Sequence, residues 1–583
     1  MTAKRSSRTA RSGSSSKPRR RVVIVGGGIG GLSLAILLAR RGWRVRVLER
    51  DRRPAVASPE EAFQRWERAG VPQFRHSHTF LARLTAVMRE RFPDVLNLLR
   101  TQGAPEIPLT VAIPPGLDLG PRQRGDGELV LLGARRAAFE WALLEVARRQ
   151  PGIEIEEGVY VEGLVAARSR GGRPRVSGVR LRTLPPREAQ LDGIPWHPSS
   201  TASADGSQRT RRISADLVVD ATGRRSNADE WMQRIGGASP EEEQVPTGIF
   251  YFTRFYRSTG SPPPGATTGL VAGDVGWLKL ATFPGDGDTF SITVGADIDD
   301  RPMRALSDPA VFEALIAAFP AVAPWRAPGV SRPIDGPETP VLVMGGLTNR
   351  VRRFERNGTP LAAGFVAVGD ASHHSNPIYG RGVTSAVLST VLLDDALAAH
   401  PDDLVRAAQS YHARARTEIE PYWEAAAGGD RVARALQKKR GSDGTLAWAW
   451  SWATDPARML ALLLGQAAGV FLEHGLAPAS RSDGQVYRAV MRVMNMLDPP
   501  REGLFAPAVI ARVLPFLALS LFSSKTNAAF PGPTREEALA LIERVQRGPK
   551  REARSANPST RERSRSREPA AAPERPRLEV LRR

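Results

Sequence analysis

The sequence predicts an α/β protein with a parallel-sheet nucleotide-binding core, a domain of antiparallel strands set into it, and a helical C-terminal region. Three observations predict it. A β-branched strand, a glycine turn, a helix and a second strand follow one another within Arg21–Asp51. Another apolar strand, ending in Gly369-Asp370, returns late in the chain. Between them lie alternating runs of strand period, and beyond His400 the helical period takes over.

The first unit reads RVVIVGGGIGGLSLAILLARRGWRVRVLERD. Val22 to Val25 is apolar throughout, as a strand buried on both faces should be. Gly26, Gly28 and Gly31 give G-x-G-x-x-G: a tight turn, close approach to a pyrophosphate, and helix–strand packing. The helix from Ile29 to Arg41 aims its first amides and positive dipole end at that phosphate. Gly42 ends it, Arg44 to Leu48 forms the next strand, and Glu49 follows about 20 residues beyond the glycines, where a carboxylate can bind a ribose diol. The flanking strands and acid lift the motif above a chance glycine cluster. They predict dinucleotide binding.

A polar connection then runs to Gly70, followed by VPQFRHSHTFLARL at Val71–Leu84. Arg75, His76 and His78 bunch there, and two His separated by one residue share a side only in extended chain. No certain third ligand accompanies them, so the expectation is no metal, and either a cavity-lining role or ordinary hydrogen bonding. Arg135-Arg136 opens a helix whose apolar face carries Phe139, Leu143, Leu144 and Val146. Ile153 to Arg182 alternates as three strands of a meander, IEIEEG, VYVEGLVAA and VSGVRLR. Leu184 to Arg212 has no period and reads as an exposed insertion. Ala215 to Ser226 returns to the sheet, with Leu217–Val219 as the strand and Asp220–Gly223 as its turn.

From Trp231 to Asn349 the pattern becomes antiparallel, with strands at Thr247–Arg257, Gly276–Phe283 and Thr289–Asp297 and a helix at Phe312–Phe319. Of Phe250, Tyr251, Phe252, Phe255 and Tyr256, alternation lets only one face line a pocket. Gly364 to Thr384, GFVAVGDASHHSNPIYGRGVT, is again strand, turn and helix. Leu404 to Leu436 is helical, with a break expected at Gly428-Gly429. The boundaries are a basic tail at 1–20, a discontinuous nucleotide domain at 21–230 and 345–400 with the insertion at 184–212, a β-rich substrate domain at 231–344, a helical region at 401–546 and a second basic tail at 547–583.

The chain has 583 residues and no cysteine, which excludes thiol catalysis, disulfides and cysteine-held metals. Redox chemistry must therefore rest on a bound cofactor. The net charge of +21 suggests nucleic acid, but +8 sits in residues 1–21 and +7 in residues 547–583, leaving about +6 for the body. No specific nucleic-acid partner is expected, and both tails read as disordered. Arg19-Arg20-Arg21 imitates an export signal, but the apolar run behind it is the first strand of the fold. The expected location is cytoplasmic. No stretch reaches the roughly 18 to 20 apolar residues that span a bilayer. Met459–Leu472 and Val513–Phe522 come partway and read as buried helices, with an apolar-substrate channel or a peripheral membrane contact as the alternatives.

The Gly369-Asp370 segment resembles the G-D motif of FAD-dependent monooxygenases of the aromatic hydroxylase and squalene epoxidase type, bacterial epoxidase-like members included. The resemblance implies a Rossmann-like FAD-binding domain in which Asp370 holds the ribityl chain and the Pro377, Gly380 and Gly382 loop leads a helix toward the isoalloxazine. Amides near Val383 and Thr384 can then stabilise charge on reduced flavin. Arg135-Arg136 resembles the family's R-x-x-L-E segment, where Arg contacts FAD; Arg136 matches better by its spacing to Glu140, with Arg135 in reserve. Where the aromatic hydroxylases carry an Asp-Gly pair linked to FAD and NADPH, this chain has Thr222-Gly223, which puts direct use of NADPH in question. Trp448 and Trp450 lack the Ile-Pro of the halogenase signature.

The family's chemistry implies a flavin C4a-hydroperoxide that transfers one oxygen atom from O₂ to an apolar organic substrate, by epoxidation or hydroxylation. The long apolar C-terminal region tilts this toward a polyene or polyketide-like substrate. Electrons come from NADPH or NADH, directly or through a flavin reductase. His373, His374 and Tyr379 stand in the flavin-side loop as candidate proton donors. The competing reading is a flavin dehydrogenase or reductase that inserts no oxygen.

Overall fold

The computed structural model describes residues 20–114, 116–167, 172–185, 210–260, 270–334, 336, 339–441, 470–522 and 530–548. The basic tails, most of the 184–212 insertion, Trp448, Trp450 and most of Met459–Leu472 lie outside the described residues.

A five-stranded parallel sheet forms the centre, in the order Phe365–Ala367, Leu217–Asp220, Arg21–Val25, Arg44–Glu49, Ile153–Glu157. Within the Arg21–Val25 strand, Val22 to Val25 are apolar and buried because both faces are covered there, while Arg21 is exposed. Val22 and Ile24 pack with the Ile29–Arg40, Arg381–Ala399 and Leu404–Glu418 helices. Val23 and Val25 pack on the opposite side against the three-stranded antiparallel sheet of Val159–Ala167, Arg175–Thr183 and Arg211–Ser214. Each such buried aliphatic side chain contributes about 1.5–3 kcal/mol, so this two-sided burial is a main source of stability.

Two sequence expectations change here. The strands of 153–182 do not form one meander: Ile153–Glu157 joins the parallel sheet, and Gly158, at φ +73°, turns the chain into the antiparallel one. The missing third strand is Arg211–Ser214, at the end of the segment read as an insertion. Its four residues, RRIS, are too few and too charged to show an apolar period. Arg381–Ala399, in turn, is long and apolar enough to cross a membrane, which no stretch was expected to be; 72% of it is buried, and it is a core helix of the nucleotide domain.

The second domain is a six-stranded antiparallel sheet in which Ile249–Ser258 pairs with Thr289–Asp297, and that strand with Leu278–Pro284. Alternation sorts the aromatic run. Phe250, Phe252 and Tyr256 pack into the domain core with Phe312 and Phe319, whereas Phe255 meets Phe63 of the nucleotide domain. Pro309–Ala317 forms the predicted helix, started by Asp308, whose side chain accepts from the amides of Ala310 and Val311. The last helix among the described residues, Arg535–Arg547, packs Ala538 and Ile542 into this same core.

The helices after His400 divide at Ile419, between Leu404–Glu418 and Glu420–Gly441, and not at Gly428-Gly429. Pro421 stands in the first turn of the new helix, where its missing N–H costs nothing. Gly429 stays helical and serves a different purpose: a Cβ there would lie 3.2 Å from the Tyr379 hydroxyl, so glycine lets this helix approach the loop.

Candidate active site

A cavity of about 1230 Å³ opens where the parallel strands end and continues beneath the antiparallel sheet. Its walls come from the C-terminal ends of four parallel strands, the usual ligand site of such sheets. They come also from Tyr251, Thr253, Leu278 and Leu280 of the antiparallel domain and from Gly429 and Asp430 of the Glu420–Gly441 helix.

At the strand-end wall the glycines have separate duties. Gly26 lies at φ +105°, and a Cβ on it would sit 2.5 Å from the Ala221 carbonyl. A Cβ on Gly31 would lie 1.9 Å from the Gly26 carbonyl, so Gly31 sets helix–strand contact and does not itself line the cavity. Gly28 does, as the helix N-cap without a side-chain cap, which leaves first-turn amides open to an anion. Glu49 also lines the cavity. Its carboxylate accepts from the amides of Gly27 (2.8 Å) and Asp51 (2.9 Å) and pairs with Arg68 at 3.3 Å. Burial alone would raise its pKa, but Arg68 and Arg53 outweigh that and hold it at about 2. Arg68 escaped the sequence reading. Fully buried, it also pairs with Asp51 (3.2 Å) and Glu140 (3.3 Å). The signal available was three carboxylates destined for the interior, which require a buried cation.

Further along, Gly369 and Asp370 line the cavity. Burial raises the Asp370 pKa, but His374, Arg136 and Arg224 reverse the sign and hold it below the usual carboxylate range. His374 Nδ1 lies 3.1 Å from Asp370 Oδ2. Arg136, not Arg135, faces the cavity. It donates to Glu140 (2.8 Å), and its Nη1 lies 3.3 Å from His78 Nε2, whereas Arg135 turns to Asp286 (2.7 Å) and Glu60 (2.8 Å).

The His-x-His segment divides by role. His76 Nδ1 meets Thr253 Oγ1 at 3.2 Å, joining the two domains, and His78 Nδ1 meets the His76 carbonyl at 2.9 Å. Burial, then Arg224, lowers the His76 pKa to about 4; burial, then Arg136, lowers that of His78 to about 3. Both line the cavity as neutral rings. Arg75 instead donates to the carbonyls of Phe63, Gln64 and Trp66 and ties the loop. Among the described residues no cluster of three metal-ligating side chains occurs.

Across from Asp370 stand two cations that sequence reasoning missed. Arg224 and Arg350 line the cavity, burial lowers both pKa values, and the buried Nε of Arg224 has no hydrogen-bond partner. Arg224 directly follows the Thr222-Gly223 turn, which was its only clue.

The loop after Asp370 brings Pro377, Gly380, Gly382 and Val383 to the cavity; Gly380, at φ +65°, caps the Arg381–Ala399 helix without a side chain. Thr384 lies behind them, buried. Of the three proton-donor candidates, His374 and Tyr379 line the cavity, and burial raises the Tyr379 pKa to about 12. His373 faces away, toward Ser372 (2.9 Å) and Glu420 (3.5 Å).

These residues fit FAD. Open amides at Gly28 and the partnerless Arg224 Nε suit a diphosphate, two carboxylates suit ribose and ribityl hydroxyls, and the glycine loop admits a flat ring.

The sequence matches a model of the NAD(P)-binding Rossmann-like domain over residues 24–90. It is 28% identical over 433 residues to protein Rv3254 of Mycobacterium tuberculosis, covering 71% of this chain and 80% of that protein. It is 26% identical over 388 residues to kynurenine 3-monooxygenase of Salinispora tropica, covering 66% of this chain and 74% of that enzyme. Among solved structures, the myxobacterial chondrochloren halogenase CndH aligns with a TM-score of 0.48 at 17% identity, covering 88% of this chain and 100% of that one. The chain is an FAD-dependent oxidoreductase that uses NAD(P)H as the source of electrons, and in sequence it is similar to monooxygenases.

Proposed function

We propose that the enzyme transfers one oxygen atom from O₂ to a largely apolar organic substrate, by epoxidation or hydroxylation, in the chamber beneath the antiparallel sheet. The observation that carries this reading is the continuity of the cavity, from a glycine turn suited to a dinucleotide to walls of Ile249, Leu278, Leu280, Met344 and Ile378. In the proposed complex the open amides at Gly28 and the guanidinium of Arg224 hold the diphosphate, Glu49 binds the ribose, and Asp370 with Arg136 holds the ribityl chain. Gly369, Pro377, Gly380 and Gly382 let backbone meet the ring, and the amides of Val383 and Thr384 favour negative charge there.

When bound, FAD supplies the reaction with O₂, and the protein supplies place, dryness and charge. Tyr379 keeps its proton at neutral pH, so its hydroxyl can donate a hydrogen bond into the chamber. His76 and His78 stay neutral, which adds no charge to an apolar site. Thr222-Gly223 in place of Asp-Gly supports delivery of NAD(P)H electrons through a flavin reductase. The exposed Phe505, Leu514 and Leu519 support peripheral contact of the C-terminal helices with a membrane surface, from which an apolar substrate could enter.

The test is a reaction under ¹⁸O₂ with NADPH, a flavin reductase and a panel of polyenes and polycyclic aromatics. A product heavier by one ¹⁸O atom is expected. Products changed only by two hydrogens would establish the dehydrogenase instead.

A further inference from the structure

The chamber beneath the antiparallel sheet is not apolar throughout. Asp430, 7% exposed, enters its wall from the Glu420–Gly441 helix, in a lining that also includes Ile249, Leu278 and Ile378. Its carboxylate is held by neutral groups. Asn349 Nδ2 donates to Oδ2 at 2.6 Å, and Asn376 Nδ2 reaches Oδ1 at 3.1 Å and Oδ2 at 3.0 Å. These two side-chain amides are themselves fixed: the backbone N–H of Asn376 donates to Asn349 Oδ1 at 2.7 Å, and the Tyr251 hydroxyl donates to Asn376 Oδ1 at 2.7 Å. No ion pair to Asp430 occurs among the described residues, and Lys279, a cavity-lining cation that acts on it electrostatically, pairs with Asp274.

Taking a carboxylate out of water is costly unless donors replace that water. Two amide donors do not saturate a carboxylate, which has about four acceptor sites. A network meant only to tie helix to loop could use an amide at this position and avoid the cost. Asp430 lines the chamber, so a ligand there can reach the remaining acceptor capacity.

We propose that Asp430 is a substrate-recognition residue: it accepts a hydrogen bond from an O–H or N–H donor carried by an otherwise apolar substrate. The Asn349–Asn376 pair positions it, and Tyr251 positions the pair. The inference rests on the monooxygenase reading only in treating this chamber as the substrate's.

The test uses the FAD-loaded full chain and flavin difference spectra, without turnover. Three probes of one shape are titrated: 2-naphthol as a neutral O–H donor, 2-naphthylmethylamine as an ammonium donor, and 2-methoxynaphthalene with no donor. At least one donor probe should bind wild type about tenfold or more tightly than the ether, and which one does so identifies the donor. Asp430→Asn should bring that ratio within about twofold and leave the affinity for the ether unchanged, while Asp430→Glu retains part of the preference. Full flavin content in both variants shows that they are folded. Equal binding of all three probes, a preference that survives Asp430→Asn, or no binding by any probe would overturn the proposal. Because the readout is binding, a failure to insert oxygen into any compound would count against the monooxygenase reading and leave this one standing.

Discussion

The two ends of the cavity handle buried charge in opposite ways. At the glycine turn, Glu49, Asp51 and Glu140 surround Arg68 at 3.2 to 3.3 Å, so every carboxylate there has a cation. At the far end Asp430 has only amides. The first arrangement is closed and suits a fixed task, shaping the turn at the proposed dinucleotide site, which must be the same for every catalytic cycle. The second is left open on one side, as recognition of a ligand requires. The ends differ in origin too. Gly26 to Glu49 is one continuous stretch, whereas Asp430 and its partners are 54 to 81 residues apart in sequence, and Tyr251 is 125 residues from Asn376.

This contrast can be broken by substitution. The largest effect is expected at Gly31→Val: its Cβ would lie 1.9 Å from the Gly26 carbonyl, and backbone cannot yield as a side chain can. Overpacking of about 3 kcal/mol or more should leave protein without flavin absorbance; a fully yellow, stable variant would show that the helix–strand contact is misplaced.

Glu49→Ala and Asp370→Ala come next. Removing Glu49 unbalances the buried Arg68 cluster, a change that costs about 3–5 kcal/mol where a buried pair is broken. Both variants should purify largely free of FAD. Asp430→Asn should keep it, and loss of flavin there would erase the distinction between the ends.

Arg224→Gln sharpens the middle ground. A hydrogen bond to a charged group contributes about 1.5–3 kcal/mol, so FAD affinity, read from equilibrium dialysis, should fall about ten- to a hundredfold. Unchanged affinity would move the diphosphate elsewhere.

The smallest effect is a pH dependence. His76 and His78 titrate near 4 and 3 in the folded chain and near 6.5 when unfolded. The unfolded state therefore takes up protons first as pH falls, and stability is lost from about pH 6.5 down to about 4. Urea midpoints measured from pH 7.5 to 4.5 should fall, and His76→Gln should flatten the decline. An unchanged slope in that variant would mean that His76 is protonated in the fold.

What was legible in the sequence follows the same division. Contiguous motifs carried their geometry with them: the glycine turn, Glu49, and the Gly369-Asp370 strand with its helix all stand where their spacing placed them. Alternation limited the aromatic run to one pocket-lining face, and the structure gives that face to Tyr251 while Phe250 and Phe252 enter the core. Arg68, Arg224 and Asp430 were invisible because single charged residues reveal nothing until tertiary contacts bury them. The strand Arg211–Ser214 was missed because pairing with Arg175–Thr183, not its own composition, makes it a strand. The break placed at Gly428-Gly429 failed because Gly429 answers to Tyr379, a neighbour in space.

The central claim, that this cavity holds a redox-active FAD, is tested most directly by an anaerobic absorption titration. The purified chain is loaded with FAD and titrated with NADPH, first alone and then with a catalytic flavin reductase. A protein-bound flavin band, near one FAD per chain, that bleaches in at least one arm and returns when O₂ is admitted is the expected result. A chain that retains no flavin band after FAD is added would contradict it.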